Sequence, residues 1–417
     1  MTAALDRTFS SLHVPNYRRY FAGQVVSISG NWMQIVAEMW LIVQLTGSGA
    51  AVGITAGLQF LPMLLFGAWG GVLADRLDKR TLLTVTQTLM VLPALALWGL
   101  TAGGRIEAWM VFALVLLRGT VLAFDNPARQ AFVSEIVGRD RVLNAVALNS
   151  VIVHSSRIAG PAAAGALIAL LGVAACFAVN AATFVVMIVA LRLMDPAMLQ
   201  PAERVKRASG QLRAGLAYVR RTPELRVPLG MMVLVGTLSF NFQVLLPLLA
   251  SDTWEGTAKT YAMLTAVMGA GSVLGALAAG ARGRVSHGLL VVSAALFGVA
   301  ELLAALAPTL TWQALALVPL GAASVTFASG VNSSLQIASD PMLRGRVMAL
   351  YAIVFLGSTA IGAPAIGWLA DVAGPRSGLL AGAAAALIAA AWARAEFAGR
   401  PAPASSPRRE LLDRVPS

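Results

Sequence analysis

Cysteine is almost absent. Cys176 is the one thiol in 417 residues, which excludes an internal disulfide and a cysteine-based metal cluster. No other metal-ligand cluster stands out, and the chain has neither a Gly-Lys-Ser/Thr phosphate loop nor a nucleophile elbow. ATP-driven work, hydrolysis and a bound cofactor therefore have no residues to rest on, and we expect a protein that is not an enzyme. Charge is scarce as well: Asp, Glu, Lys and Arg make up 12% of residues against 58% hydrophobic, and the mean hydropathy is +0.76. That much apolar surface cannot be hidden in a water-soluble core, so lipid must be the solvent. No small-residue cleavage site follows a short apolar core near the N-terminus, and the first apolar segment is expected to be retained rather than removed as a signal.

What the chain has instead is long apolar runs. Twelve lie at about 20–44, 50–73, 82–101, 107–124, 143–169, 174–193, 228–250, 258–280, 288–307, 311–331, 346–370 and 377–394. Each is close to the ~20 residues that cross a hydrocarbon core as helix. All but five of the 31 Lys and Arg residues lie before the first run, in or beside every second loop, or in the tail. The exceptions are Arg105, Lys259 and Arg376 in the alternate loops, and Arg118 and Arg157 inside runs. The positive-inside rule then puts both termini and the basic loops in the cytoplasm. A net charge of +12 would suggest nucleic acid in a soluble protein. Spread over short loops between spans, it is explained by orientation and anionic headgroups, and no nucleic-acid partner is expected.

The longest hydrophilic stretch, 194–227, separates two groups of six spans. We expect an N-terminal six-helix bundle over 1–193, a cytoplasmic linker over 194–227, a C-terminal bundle over 228–394 and a cytoplasmic tail over 395–417. Pro201 interrupts the linker, and beyond it Leu212, Leu216 and Val219 fall on one helical face, predicting a basic amphipathic helix at the membrane interface. The halves echo each other. Gly71-Val-Leu-Ala after the second span is matched by Gly275-Ala-Leu-Ala after the eighth, and Gly160 and Gly165 are matched by Gly362 and Gly367. Duplication of a six-span unit follows. Repeat-built transporters place substrate near the midplane between the repeats and change access by rocking one against the other.

Twelve spans, a six-plus-six repeat and the loop Gly71-x-Leu-Ala-Asp-Arg-x-x-Lys-Arg80 resemble the major facilitator superfamily over nearly the whole chain. Gly30-Asn-Trp-Met33, Phe124-Asp-Asn-Pro-Ala-Arg-Gln-Ala-Phe132, Asn144-Ala-Val-Ala-Leu-Asn149, Arg157-Ile-Ala-Gly-Pro161 and Arg344-Gly-Arg-Val-Met348 are similar to a bacterial subgroup containing the enterobactin exporter and macrolide efflux proteins. The resemblance implies an all-α polytopic fold of twelve transmembrane helices in two pseudo-symmetric six-helix bundles, in a bacterial inner membrane. It also implies a gating lock in the loop of Gly71, Asp75, Arg76, Lys79 and Arg80. Asp75 would face the start of the eleventh span near Arg344 and Arg346, where helix-end N–H groups favour a carboxylate, and Lys79 or Arg80 would pair with Asp125. Asp78 stands where the family usually has glycine. Gly160-Pro161 with Gly165 resembles a motif associated with antiporters, and would permit bending and close packing against the eighth span.

Four formal charges, Glu38, Arg118, Arg157 and Glu301, lie inside apolar spans. At a helix centre each costs roughly 2.5–3.5 kcal/mol to insert, so such residues face a cavity or a partner. Arg118 occupies the place of a span-four arginine that the superfamily links to proton coupling. His154 lies three residues before Arg157, on the same helix face. Glu38 is the first candidate to carry a proton and His154 the second. A structural ion pair between Glu38 and one arginine is the alternative, and Glu301 either joins the site or caps a helix contact. Gln34, Asn149, Asn241, Gln243 and Asn332 are candidate polar contacts for substrate or between helices.

The expected activity is secondary transport: proton-coupled export of a siderophore or amphiphilic drug-like molecule by alternating access. A lysolipid flippase or solute importer of the same fold is the alternative, and a non-transporting sensor or assembly subunit a third reading. The expected partners are a small-molecule substrate, protons and membrane lipid, with the chain a monomer.

Overall fold

The computed structural model describes residues 9–200, 211–282, 286–340 and 343–398, and among them no strand forms. Arg7, Pro201, Arg284 and most of the expected tail lie outside these residues. In lipid every backbone N–H and C=O must be satisfied within its own segment, and helix is the solution that a single apolar run can reach.

The helices are α1 (Pro15–Thr46), α2 (Gly49–Arg76), α3 (Lys79–Ala102), α4 (Ala108–Val137), α5 (Val142–Leu171), α6 (Val173–Arg192), the amphipathic α7 (Gln211–Arg221), α8 (Pro223–Leu238), α9 (Phe242–Leu248), α10 (Ala258–Arg282), α11 (His287–Ala305), α12 (Leu310–Ala338), α13 (Arg344–Ala373) and α14 (Pro375–Phe397). Proline at its first position starts α1, and Gly47, at φ 57°, ends it in the left-handed conformation that glycine adopts without strain. Asp78 caps α3 by accepting from the Thr81 N–H at 2.7 Å, with φ −61° and ψ 119°. Any residue can adopt that backbone, so the departure from the family's glycine is accommodated by a useful cap.

Twelve spans were expected, and eleven segments are long and apolar enough among the described residues. Span seven is α8 and α9 together, interrupted at Ser239–Asn241 and continued by a π turn at Leu249–Thr253. The helix that falls short is α1, although it is 32 residues long. Asn16, Gln24, Asn31, Gln34 and Glu38 dilute its apolar content, and all of them except Asn31 are buried inside the protein. Outward-facing side chains elsewhere are large and apolar, among them Trp69, Leu277, Ile361 and Trp368, as a surface in contact with lipid requires.

Packing repeats between the halves. In the first, α2 lies on α4, with Gly70 against Ala123; in the second, α10 lies on α12, with Gly271 and Gly275 against Val318 and Ala322. The halves then meet through two equivalent pairs, α2 with α13 and α5 with α10. Exchanging the second and fifth helices of one bundle for those of the other relates these pairs, which is the packing expected of a duplicated unit. The start of α1 and the end of α14 lie at one end of the bundle, with the basic loops: Ser11 is bonded to Arg141 and Asn144, and Glu396 to Arg226; we call it the basic end. At the opposite end the halves are joined by hydrogen bonds. The Asp371 carboxylate of α13 accepts from the Ser48 hydroxyl at 2.9 Å, the Ala50 N–H at 2.9 Å and the Gly49 N–H, all at the start of α2. An anion at a helix N-terminus satisfies donors that the helix itself leaves free.

Candidate functional site

A cavity of about 800 Å³ lies between the halves. On α4 its lining residues are Arg118, Gly119, Leu122, Asp125, Asn126 and Arg129; on α10 they are Tyr261, Thr265, Met268, Gly269 and Ser272. Both sets fall at steps of one, three and four, one continuous face of a helix. The two walls differ in chemistry. Every charged side chain of the lining comes from the first half, whereas the second half supplies Phe240, Phe242, Tyr261, Tyr351 and Phe355 with hydroxyls and the amides of Gln243 and Asn332.

Arg118 is wholly buried and donates from Nη2 to Glu38 Oε2 at 2.6 Å and from Nη1 to Asn31 Oδ1 at 3.0 Å. Glu38, also wholly buried, accepts from Gln34 Nε2 at 2.7 Å. Gln34 in turn accepts from Asn180 Nδ2, whose Oδ1 takes a hydrogen bond from Thr183 at 2.8 Å. A connected polar network thus runs through α4, α1 and α6. Gly30 leaves the room for it, because a Cβ there would collide with the side chains of Asn180 and Thr183. Glu38 therefore has partners both in its own helix and beyond it. Glu38 forms an ion pair, and its partner is Arg118. The two meet because Glu38 is eight residues from the end of α1 and Arg118 ten from the start of α4. At ~1.5 Å per residue both are about 12–15 Å from the opposite end.

Asp125 is buried and holds Arg129 in an ion pair, while its Oδ1 accepts from Thr86 at 2.6 Å and Gln87 at 2.9 Å. The expected pairing of Lys79 or Arg80 with Asp125 is not formed. Lys79 pairs with Glu135 at 2.6 Å, and Arg80 donates to the carbonyls of Leu191 at 2.7 Å and Arg192 at 2.9 Å, closing the C-terminus of α6, where a cation is favoured. The physical reason is helix length. Because α4 continues to Val137 rather than stopping near 124, Asp125 lies inside the bundle and Glu135 takes the end position. Asp75, Arg76, Lys79 and Arg80 line a separate cleft at the basic end with Glu135. Gly71 is half-buried, Arg344 exposed and Arg346 half-buried at the start of α13.

His154 and Arg157 line the cavity from one face of α5. The Arg157 guanidinium lies over the Trp32 ring, 5.2 Å from its centroid, and its Nε is buried with no hydrogen-bond partner among the described residues. Glu301, expected either to join the site or to cap a helix contact, does not line the cavity. It is wholly buried behind the break between α8 and α9, beside Gly382, with Ser239 donating to the Gly382 carbonyl at 2.8 Å. Of the antiporter-like residues, Gly165 does pack against α10, at Ala262. Gly160 instead packs against α1, at Trp32 and Ser29. Among the polar candidates Gln243 and Asn332 line the cavity, and Gln34, Asn149 and Asn241 do not. Sequence reasoning missed the aromatic wall, for which the signal was the helical spacing of Tyr261 with Thr265 and of Tyr351 with Phe355.

Residues 6–410 match the family described as transmembrane secretion effector. The chain belongs to that family, within the major facilitator superfamily. It is 26% identical over 374 residues to the enterobactin exporter EntS of Escherichia coli, covering 87% of this chain and 86% of that one. It is 24% identical over 354 residues to macrolide efflux protein A of Streptococcus pyogenes, covering 82% and 86%. To the staphyloferrin A transporter of Staphylococcus aureus it is 24% identical over 261 residues, which span 62% of this chain and 65% of that relative. The solved structure of nucleoside transporter NupG superposes with TM-score 0.73 at 12% identity, covering 92% of this chain and 99% of that one. A bacterial homologue of the lysosomal transporter Spinster, in an inward-facing and unoccupied conformation, gives TM-score 0.72 at 14% identity, covering 96% and 99%. The protein is a multi-pass membrane transporter of the major facilitator fold.

Proposed function

We propose that the transporter exports an amphiphilic small molecule, a siderophore or drug-like compound, in exchange for protons, from a bacterial cell whose cytoplasm contacts the basic end. The buried Glu38–Arg118 pair carries this reading. It joins the cavity wall to the buried network of Gln34, Asn180 and Thr183, and a carboxylate there is the group a proton can neutralise. The cavity is shared by both halves, and their joined ends, at Asp371 and the start of α2, lie on the far side of it from the basic loops. That geometry suits a state closed to the outside, one of the two that alternating access requires. Export as the direction is supported by the enterobactin and macrolide relatives and by Gly160-Pro161.

Purified protein in liposomes, inverted so that the basic end faces outward, is expected to accumulate a catecholate siderophore or a macrolide when the lumen is acid. A protonophore should collapse the accumulation. No flux of either probe, or flux indifferent to the pH gradient, would overturn the proposal. Orientation has its own check, since reporter fusions at Ser209 and Thr257 should report opposite compartments, the first cytoplasmic. A common compartment for both would break the topology.

A further inference from the structure

The charges around the cavity do not cancel. Arg118 is balanced by Glu38 and Arg129 by Asp125, but no carboxylate pairs with Arg157 among the described residues. The aromatic wall opposite carries no carboxylate either. A guanidinium with five donors in a rigid fork therefore faces the cavity with the Trp32 ring against it and no carboxylate beside it among the described residues. Ring stacking offsets part of the cost of a half-buried charge, yet it takes none of the N–H donors. Four more polar atoms of lining residues are buried without a hydrogen-bond partner among the described residues: Nδ1 of His154, one turn away, Oε1 of Gln243 on the facing wall, Oε1 of Gln59, and Nε of Arg118, whose other guanidinium nitrogens are taken by Glu38 and Asn31. Native proteins leave few such groups unsatisfied, and those that remain ask for a function.

We infer that Arg157 is the receptor for a substrate anion, and that the transported class is an amphiphile with an aromatic or apolar body and an acidic head such as a carboxylate, catecholate or sulfonate. The inference rests on the transport reading above. The head takes a forked, charge-assisted contact from Arg157, with His154 beside it, while the body lies on Tyr261, Phe240 and Phe355. Trp32 fixes the plane of the guanidinium and so the direction from which the acid approaches. Cationic amphiphiles, among them a macrolide with its protonated amine, meet an uncompensated like charge and are disfavoured, so of the two transport probes the catecholate is the one expected to move.

Two dyes that share one skeleton isolate the effect: 8-anilinonaphthalene-1-sulfonate and its uncharged parent, N-phenyl-1-naphthylamine. Binding is measured at equilibrium, with no gradient, to protein in phosphatidylcholine nanodiscs, with binding to empty nanodiscs subtracted. A hydrogen bond to a charged group corresponds to roughly ten- to hundredfold in affinity. The wild type is expected to prefer the sulfonate by that factor, Arg157→Gln to lose the preference, and Arg157→Lys, which keeps the charge, to retain its direction. Equal affinity for the two dyes in the wild type, no saturable sulfonate binding, or an undiminished preference in a monodisperse Arg157→Gln protein would each overturn the inference. Phosphatidylglycerol added to the nanodiscs separates the sources of the anion. Competition with the sulfonate identifies a lipid as the occupant, and its absence identifies a soluble acid. Because the assay needs no gradient, a protein that selects the sulfonate yet moves nothing would overturn the transport reading and leave Arg157 standing as an anion receptor.

Discussion

Replacing Glu38 by glutamine is expected to abolish accumulation of substrate against its gradient while downhill exchange continues. The argument begins with the pair itself. Glu38 and Arg118 are both wholly buried, 2.6 Å apart, and removing one partner of such a pair costs about 3–5 kcal/mol because the other charge is left uncompensated. A proton on Glu38 has the same consequence as losing the partner. The arrangement joining α1 to α4 is then disfavoured relative to one in which Arg118 finds water or other acceptors, and 3–5 kcal/mol is about a hundredfold or more in the balance of two states. Protonation and change of access are thereby linked, which is what coupling means energetically. The Glu38→Gln side chain keeps the shape and the acceptor for Gln34 but holds a single protonation state, so the link is cut. In proteoliposomes the accumulation ratio under an inward-acid gradient should fall to one, with exchange at equal pH within a few-fold of wild type per molecule. A structural role predicts otherwise: lower yield and lower thermal midpoint, with the surviving protein still accumulating substrate. Glu38→Gln combined with Arg118→Gln removes the stranded charge. It should recover stability without recovering accumulation, and a double variant that concentrates substrate normally would remove Glu38 from the mechanism.

Helix content and most of the spans were legible in the sequence, because an apolar run near ~20 residues has few alternatives in lipid. The exception, α1, is instructive. Its polar residues lower its hydropathy because they face the network of Glu38, Gln34 and Asn180 and the cluster at Gln24 and Arg129, so the helix that composition describes worst is the one richest in site residues. Arg118, His154 and Arg157 stood out as charges or a titratable ring against apolar surroundings, and all three reach the cavity. Glu301 stood out equally and does not, since contrast with neighbours marks a buried charge without saying that its helix, α11, supplies no residue to the cavity. The aromatic wall was hidden for the converse reason, because Phe240 or Tyr351 in an apolar run offers no contrast at all. Pairing was the least legible feature. Glu38 and Arg118 are 80 positions apart, on helices that cross in opposite directions, and nothing in either apolar run marks that the two lie at one depth. The mistaken partner for Lys79 came from ending the fourth helix at the last apolar residue, when a helix supported by protein contacts continues past the hydrocarbon.

A single methyl group at Gly53 is expected to do more damage than its size suggests. At this point α2 meets α13 backbone to backbone, and a Cβ on Gly53 would come closer to the carbonyl of Ala363 than real Cβ atoms approach any heavy atom. A carbonyl within a helix cannot step aside alone, so α2 and α13 must separate. Neighbouring contacts of the same kind, Gly49 with Gly367 and Gly57 with Ala360, then loosen together, and the Asp371 bonds to the start of α2 are drawn out. Overpacking of this sort costs about 1–3 kcal/mol, roughly five- to 150-fold in the population of the closed arrangement. These helices belong to different halves, so the strain falls on one access state and leaves each bundle intact. Gly53→Ala should therefore fold and insert normally, favour the state open at the Asp371 end, and lose about tenfold or more in transport rate. The measurement uses Ala56→Cys, at a position wholly buried in the closed arrangement, with Cys176 replaced by alanine. Labelling by a membrane-impermeant maleimide from the Thr257 side should accelerate about tenfold when Gly53→Ala is added. Asp371→Asn should move labelling in the same direction by less, since a charge at a helix N-terminus contributes about 0.3–1 kcal/mol. Gly99→Ala is the control, because a Cβ at that glycine meets nothing and alanine is the better helix former. If Gly53→Ala behaves like Gly99→Ala in both labelling and transport, the α2–α13 contact is not the outer gate.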